Sequence, residues 1–363
     1  MAKIKQMERQ MDLEEILACP KCGSKLRIST LAWTCRKCGK EWPINMDGIV
    51  RLLDSGQFFG SDQEAIVKLL EEMRDMSAEE FFNNIERFEK EYRDFDYDYC
   101  LNPARADWTI LGDFHDKIVV DLGCAYGAVS QSLTARAKIM IGVDNTLERL
   151  EFFSLVAGFR QIKNIVPIYG DVFDLPFKEG VIDIFVCIGL LEYAATFKQG
   201  VRPIDIQREF LEHLCRHLSE RGEIWIGIEN RLNPMYLVGK THHGDLPFTP
   251  LMPRIVANAV HRIFKGEPYK IWTHSQRAYR KLLQTVGFET VEFYYPFPNY
   301  QRPRFIVPPK QRKVFRYMSK NPGFGSNSSI RHKMAIRVYK MLEWMGLLGV
   351  FAPAFLIRAV KVS

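Results

Sequence analysis

The chain has 363 residues, of which 47% are apolar and 26% charged. That composition leaves room for two or three folding units with real cores and excludes a globally disordered polypeptide. Residues 1–15 are of mixed charge without the apolar core of a leader, and no run of about 20 apolar residues occurs. Neither export nor a membrane-spanning helix is therefore expected, and the cytoplasm is. The net charge of +7 is unevenly placed. Residues 299–363 carry thirteen Arg or Lys against the single acid Glu343, a local charge of +12 that leaves −5 for the rest. The basic character belongs to the C-terminal tract.

Residues 17–53 are short, strand-like and cysteine-bearing. Cys19 and Cys22 form one C-x-x-C pair, Cys35 and Cys38 another, with twelve residues between the pairs. Two such knuckles bring four thiolates into a tetrahedron, so the spacing predicts a closed, structural zinc site. Gly23 and Gly39 follow the pairs, where a tight turn needs positive φ. Cys124, Cys187 and Cys215 sit beside apolar runs and are expected in the core. Lys21, Lys25, Arg27, Arg36, Lys37 and Lys40 interleave with Trp33 and Trp42. That mixture fits either an RNA-gripping surface or a solvated basic face with tryptophans packed beneath it. Residues 61–99 have helical spacing and read as a connector.

From about Asp107 strands and helices alternate, which predicts a parallel sheet covered on both faces. Strands are expected at 117–121, 138–144, 165–169, 181–188, 223–229, 290–295 and 354–362. Helices are expected at 128–137, 147–159, 203–218 and from Thr273 or Ser275 to Val286. The fifty residues after Pro298 exceed a normal connection and read as an insertion. The expected domains are 1–58, 59–106, 107–298 with 351–363, and 299–350.

The first strand ends in Asp121 and enters the turn Gly123, Cys124, Ala125, Tyr126, Gly127 before a helix. Such a turn binds nucleotide-like ligands, because glycines allow close approach and the helix start offers free N–H groups. Asp144 lies 23 residues after Asp121, a spacing that suits an acid on ribose hydroxyls in a dinucleotide site as well. The spacing Asp121-x-Gly123-x-Ala125-x-Gly127 resembles the first motif of class I S-adenosylmethionine-dependent methyltransferases. Asp171 and Val172 after the third strand resemble that family's adenine motif, and Ile188, Gly189, Glu192 and Tyr193 resemble its fourth, which borders the methyl group. The resemblance implies a Rossmann-like α/β fold with a seven-stranded sheet and helices on both faces, plus the N-terminal zinc ribbon. It implies S-adenosylmethionine as cofactor, held by Asp121, Gly123 to Gly127, Asp144, Asn145, Asp171, Val172, Ile188 and Gly189. Ala125 stands where the family has its middle glycine, and alanine is acceptable there if φ is negative.

Residues 16–53 resemble the small zinc-ribbon activator of translation-factor and tRNA methyltransferases, and also the ribbon of bacterial rRNA guanine methyltransferases. Residues 228–232, 243–248 and 293–298 resemble methyltransferases found with glycosyltransferases of cell-surface polysaccharide synthesis. The expected acceptor is therefore a small molecule or a lipid-linked glycan, with an RNA base as the alternative and a non-catalytic scaffold as a third reading. His243 is the expected base or orienting group, with Glu192 beside the methyl. Glu229, Asn230, Arg231, His242 and Asp245 are further candidates. Asn233 to Tyr236 is similar to an amino-methyltransferase motif, but it follows the wrong strand and reads as a turn. Residues 331–350 form an amphipathic basic helix. Its apolar face could cover the sheet or a second copy, lie on a membrane surface, or accompany a nucleic-acid contact, and these stay open.

Overall fold

The computed structural model describes residues 12–56, 58, 62–93, 95–196, 201–241, 246–309, 312–318, 320 and 330–362. The fold is mixed α/β and Rossmann-like, with a sheet of nine strands and a separate three-stranded ribbon. The chain divides into two compact units, residues 1–186 with 216–222 and residues 187–215 with 223–363. Among the described residues no helix is long and apolar enough to cross a membrane.

The first unit opens with the ribbon: β1 (Leu26–Ile28), β2 (Ala32–Cys35) and β3 (Glu41–Pro43), all antiparallel. Trp33 and Trp42 sit opposite each other on β2 and β3 and are buried. They are the ribbon's core, so the packed-tryptophan reading of the basic face is the one observed. The chain leaves the ribbon through β4 (Val50–Arg51), which pairs in parallel with the edge of the main sheet. Backbone bonds tie the ribbon's entry as well: Ala18 N–H donates to Pro176 O and Lys178 N–H to Ile16 O, both at 2.9 Å.

The connector forms α1 (Gln63–Arg74), α2 (Ala78–Asn83), α3 (Ile85–Glu91) and α4 (Tyr97–Cys100). Local chemistry starts each of the first two helices. The Asp62 carboxylate accepts from Ala65 N–H, and Ser77 and Glu80 form a reciprocal capping box. The buried row Ile66, Leu69, Leu70 and Met73 then joins Phe81, Phe88 and Phe95 in one aromatic-rich core.

Within this unit the strand order is β8-β5-β6-β7-β4. Its members are β5 (Ile118–Leu122), β6 (Ile139–Asp144), β7 (Ile165–Tyr169) and β8 (Ile182–Ile188), whose residues up to 186 lie in this unit. The pairings around β5, β6 and β7 are parallel, and every residue of β6 and β7 is buried. Continuous apolar runs, not alternation, are what a parallel sheet covered on both faces requires. The covering helices are α5 (Ala128–Leu133) and α6 (Leu147–Phe159).

The second unit contains α7 (Pro203–His217, whose last two residues count with the first unit) and most of β9 (Leu218–Glu229). It continues with α8 (Arg254–Lys265), α9 (Gln276–Thr285), β10 (Phe288–Phe297), β11 (Phe305–Val307), α10 (Arg312–Met318), α11 (Ile330–Trp344), α12 (Leu348–Phe351) and β12 (Ala354–Lys361). Its strand order is β9-β12-β10-β11, all antiparallel. The last strand of the chain thus inserts beside β9, giving β9 its edge partner. The two orders contain the seven expected strands and add β4 and β11, one short strand at an outer edge of each. Short added strands cover edges that would otherwise present unpaired backbone groups.

Gly142 shows how tightly the sheet and α6 meet. A Cβ there would lie 2.7 Å from the Phe153 ring and 3.0 Å from Cys124 Sγ. Both neighbours are buried. Gly142→Ala is therefore expected to destabilise the protein by about 1–3 kcal/mol through overpacking, measured by denaturant unfolding; an unchanged midpoint would show that Phe153 can yield.

Candidate functional site

The four ribbon cysteines converge as expected. Their sulfurs all lie within 4.8 Å of one another, with Cys19 and Cys38 at 3.8 Å and Cys22 and Cys35 at 3.5 Å. Tetrahedral thiolates about 2.3 Å from zinc stand roughly 3.8 Å apart, so the set fits that ion. Gly23 and Gly39 have the expected positive φ. Lys37 N–H and Cys38 N–H donate to Cys35 Sγ at 3.4 and 3.3 Å. The Ser24 backbone lowers the Cys22 thiol to about 6, while burial pushes Cys19 up to about 12. A divalent ion at the centre would make all four thiolates.

At the carboxyl ends of β5, β6 and β7 the structure gathers Asp121, residues 123–127, Asp144, Asn145, Asp171 and Val172. The loop hangs on the end of β6. Gly123 N–H and Cys124 N–H donate to Val143 O at 2.8 and 3.2 Å. Ala125 N–H donates to Asp144 Oδ2 and Thr146 N–H to Asp144 Oδ1, both at 2.9 Å. Gly127 caps α5 in the left-handed region at φ +78°, with the Phe153 ring where a side chain would stand. Asp171 Oδ1 accepts from Phe173 N–H at 2.9 Å, and Val172 is buried.

Ala125 departs from the expectation. Its φ is +49°, not negative, so the alanine occupies the left-handed region that the family's glycine would adopt freely. That conformation costs an alanine about 1–2 kcal/mol. The Cβ packs against the aromatic core shared by Tyr126, Phe152 and the connector, which offsets part of the cost. Tyr126 is held edge-on by Tyr99 of α4 and by Phe152. The connector thus braces the loop through the ring of Tyr126.

The chain leaving β4 runs beside the same strand ends. Leu52 N–H donates to Tyr169 O at 2.9 Å, and a Cβ on Gly56 would stand 2.2 Å from Asn145 O. Sequence spacing gave no hint that residues 52–56 approach this site.

Asp121 is fully enclosed. Ser130 Oγ donates to its Oδ2 at 2.6 Å, yet burial pushes its carboxyl up to about 7. A carboxyl raised on folding holds its proton more tightly in the native than in the unfolded chain. The native state therefore loses stability as pH rises from about 4 to about 7. Asp121→Asn is expected to flatten that slope in unfolding measurements across this range; an unaltered slope would assign it to other groups.

Ile188, Gly189 and Glu192 belong to the second unit, as do the acceptor-side candidates. Glu192 is wholly buried and its Oε1 accepts from Tyr300 Oη at 3.1 Å. Tyr300 packs across Gly189 and Gly227, where no side chain would fit. Gln207 of α7 donates to Leu191 O and Trp272 O, both at 2.9 Å, and its Oε1 meets His274 Nε2 at 2.7 Å. Burial lowers His274 to about 4, so the ring is neutral at pH 7 and Nε2–H donates. Arg254 donates to Ile271 O and Thr273 O and lies 3.8 Å over the Trp272 ring.

Other candidates are engaged by backbone groups. Arg231 donates to Pro250 O and Met252 O, and Asn230 to Val350 O and Ala352 O. Asn233 to Tyr236 starts a short 3-10 turn in which Asn233 Oδ1 accepts from Met235 N–H and Tyr339 Oη. His242, His243 and Asp245 lie outside the described residues. Tyr300 and His274 were not anticipated. Tyr300 stands two residues past the segment 293–298, and His274 lies between the two expected starts of the helix that ends at Val286.

Residues 113–282 match the model of a methyltransferase domain. No curated protein matches the chain. Solved structures similar to it include a Haemonchus contortus phosphoethanolamine N-methyltransferase bound to S-adenosylmethionine, at 11% identity and TM-score 0.39, covering 72% of this chain and 52% of that one. The chain thus spans about half the length of that relative. Another is a Thermotoga maritima S-adenosylmethionine-dependent methyltransferase, named as a possible histamine N-methyltransferase, at 15% identity and TM-score 0.42, covering 77% of this chain and 99% of that one.

Proposed function

We propose that the protein is an S-adenosylmethionine-dependent methyltransferase acting on a small-molecule or lipid-linked glycan-type acceptor in the cytoplasm, at or near the membrane surface. One observation carries the reading: three acid-bearing turns stand at the carboxyl ends of three adjacent parallel strands, β5, β6 and β7. Ligands of open α/β sheets bind there. S-adenosylmethionine supplies a methyl group already activated on a sulfonium. The protein's share is then alignment and exclusion of water. In this reading Asp144, whose oxygens already hold the loop, also faces the ribose hydroxyls, and Asp171 with the Val172 N–H reads the adenine edge. The loop 123–127 lies along the methionine part. A sulfonium and an ammonium nearby would favour the ionised form of Asp121.

Glu192 with Tyr300 is the carboxylate–phenol pair suited to orient a hydroxyl acceptor and take its proton. His243 keeps its proposed part as base or orienting group. The RNA alternative loses support, because Trp33 and Trp42 are interior and offer no stacking platform. Zinc in the four-cysteine cluster is proposed to hold the ribbon, and through it β4 at the sheet edge. The basic tract of residues 299–350 is proposed to favour an anionic surface; a homodimer through its apolar face is the rival arrangement.

Calorimetric titration is expected to show micromolar S-adenosylmethionine binding, weakened at least tenfold, about 1.4 kcal/mol, by Asp144→Ala. No binding by the intact protein would overturn the reading. Glu192→Gln should leave that affinity within about twofold while lowering transfer of labelled methyl to fractionated cell extract by about 10²-fold or more. Retained transfer would remove Glu192 from the chemistry. Elemental analysis should find about one zinc per chain, lost in Cys22→Ser; a zinc-free native protein would refute the metal assignment.

A further inference from the structure

Helix α8 is amphipathic in the reverse of the usual sense. Its inward row is Ala257 and His261, both buried. Two adjacent rows spaced four residues apart lie on the outer side: Ile255, Ala259 and Ile263, then Val256, the half-buried Val260, and Phe264. Ile255 is 85% exposed, Ile263 76% and Phe264 71%. A helix of a soluble domain normally turns such an arc toward its core. Here the core side needs only two small contacts, because Arg254 fastens the helix start to Ile271 O and Thr273 O.

The charges beside the arc identify its occupant. α8 contains Arg254, Arg262 and Lys265 and no acidic residue. Arg254 is spent on the fastening just described, whereas Arg262 and Lys265 are exposed at the helix end. Apolar rows bordered by free cations suit the headgroup–acyl boundary of an anionic bilayer. α8 itself carries no acid, and Glu267 just past its end is paired with Lys270, which leaves Arg262 and Lys265 as the charges bordering the apolar rows. The inward side points to function: Ala257 clusters with Tyr269 and Ile271, and Tyr193, next to Glu192, packs against that cluster. The helix therefore roofs the turn that carries the buried carboxylate.

We infer that α8 is a membrane-interface helix that inserts its Ile255/Ile263/Phe264 face into an anionic lipid surface, seating the Glu192 turn beneath the headgroups. This deepens the lipid-linked reading of the acceptor and rests on it only for its purpose, since docking itself can be measured without any acceptor. The full-length protein is to be sedimented with vesicles of 30% phosphatidylglycerol in phosphatidylcholine and with pure phosphatidylcholine vesicles. The protein is expected in the pellet with the anionic vesicles, with Ile263→Glu/Phe264→Glu lowering the bound fraction at least tenfold. Arg262→Gln/Lys265→Gln, which spares the apolar face, should remove the preference for anionic vesicles. Both pairs are exposed, and unchanged thermal unfolding and S-adenosylmethionine titration would show that fold and cofactor site survive. A wild-type protein left in the supernatant overturns the inference, and so does a glutamate variant that pellets like wild type. Lipid-free sedimentation equilibrium showing a dimer that Ile263→Glu/Phe264→Glu dissolves would assign the face to a second copy instead. Failure of docking with intact cofactor titration would leave the methyltransferase reading standing.

Discussion

The Asp144 carboxylate is the constraint on which the first unit is organised. One oxygen holds Ala125 N–H and the other holds Thr146 N–H, so a single side chain fixes both the loop after β5 and the entry to α6. Its own backbone oxygen accepts from Gly170 N–H, at the turn after β7. Three strand ends are thereby set by one residue. Burial works against it, raising its pKa, with Arg149 and the two amides opposing that rise. A charge kept in such a place is paired and hydrogen-bonded or it is not tolerated.

Aromatic packing adds to the hold that Asp144 has on the loop. Phe153 fills the space above Gly142 and Gly127, and Phe152 with Tyr99 grips Tyr126. The loop is pinned between a hydrogen-bonded edge and a ring cluster, which explains how the left-handed Ala125 is maintained. The same unit absorbs the ribbon. β4 and the bonds from Ala18 and Lys178 splice the cysteine module into the sheet edge, and residues 52–56 run on past Asn145. A metal that orders the ribbon would therefore order one wall beside Asn145 and Tyr169, by chain continuity alone.

The second unit solves a different problem. Its polar groups are interior, so each needs a partner in a low-dielectric place. Gln207 connects the backbone at Leu191 and Trp272 to the ring of His274, and Arg254 clasps the same stretch from α8. The result is a rigid frame around Glu192 and Tyr300. Its outer wall, α8, can leave its apolar rows in solvent because the frame is held by these polar clasps and not by the helix's hydrophobic face.

Repeating chemistry along the chain was enough to read the strands β5 to β8, the cofactor-type turns, the four cysteines and the α6 boundaries, because each is local. A buried parallel strand is a continuous apolar run, and a knuckle is a fixed spacing. The early start of β9 at Leu218, the edge strands β4 and β11, and the positive φ of Ala125 were not legible. β4 depends on Tyr169 and Ala125 on Asp144, partners distant in sequence, whereas β11 folds back on the neighbouring β10 across the turn after Phe297. Tyr300 meets Glu192 across 108 residues, and Arg254 anchors the start of α8 on residues 271 and 273. Sequence alone determined the turns at the ends of β5, β6 and β7 and the spacing of the four cysteines, because these are local patterns. Only the tertiary structure decided which polar groups surround the acceptor-side carboxylate and which apolar surface is left for something else to cover, since both follow from long-range contacts that no local pattern encodes.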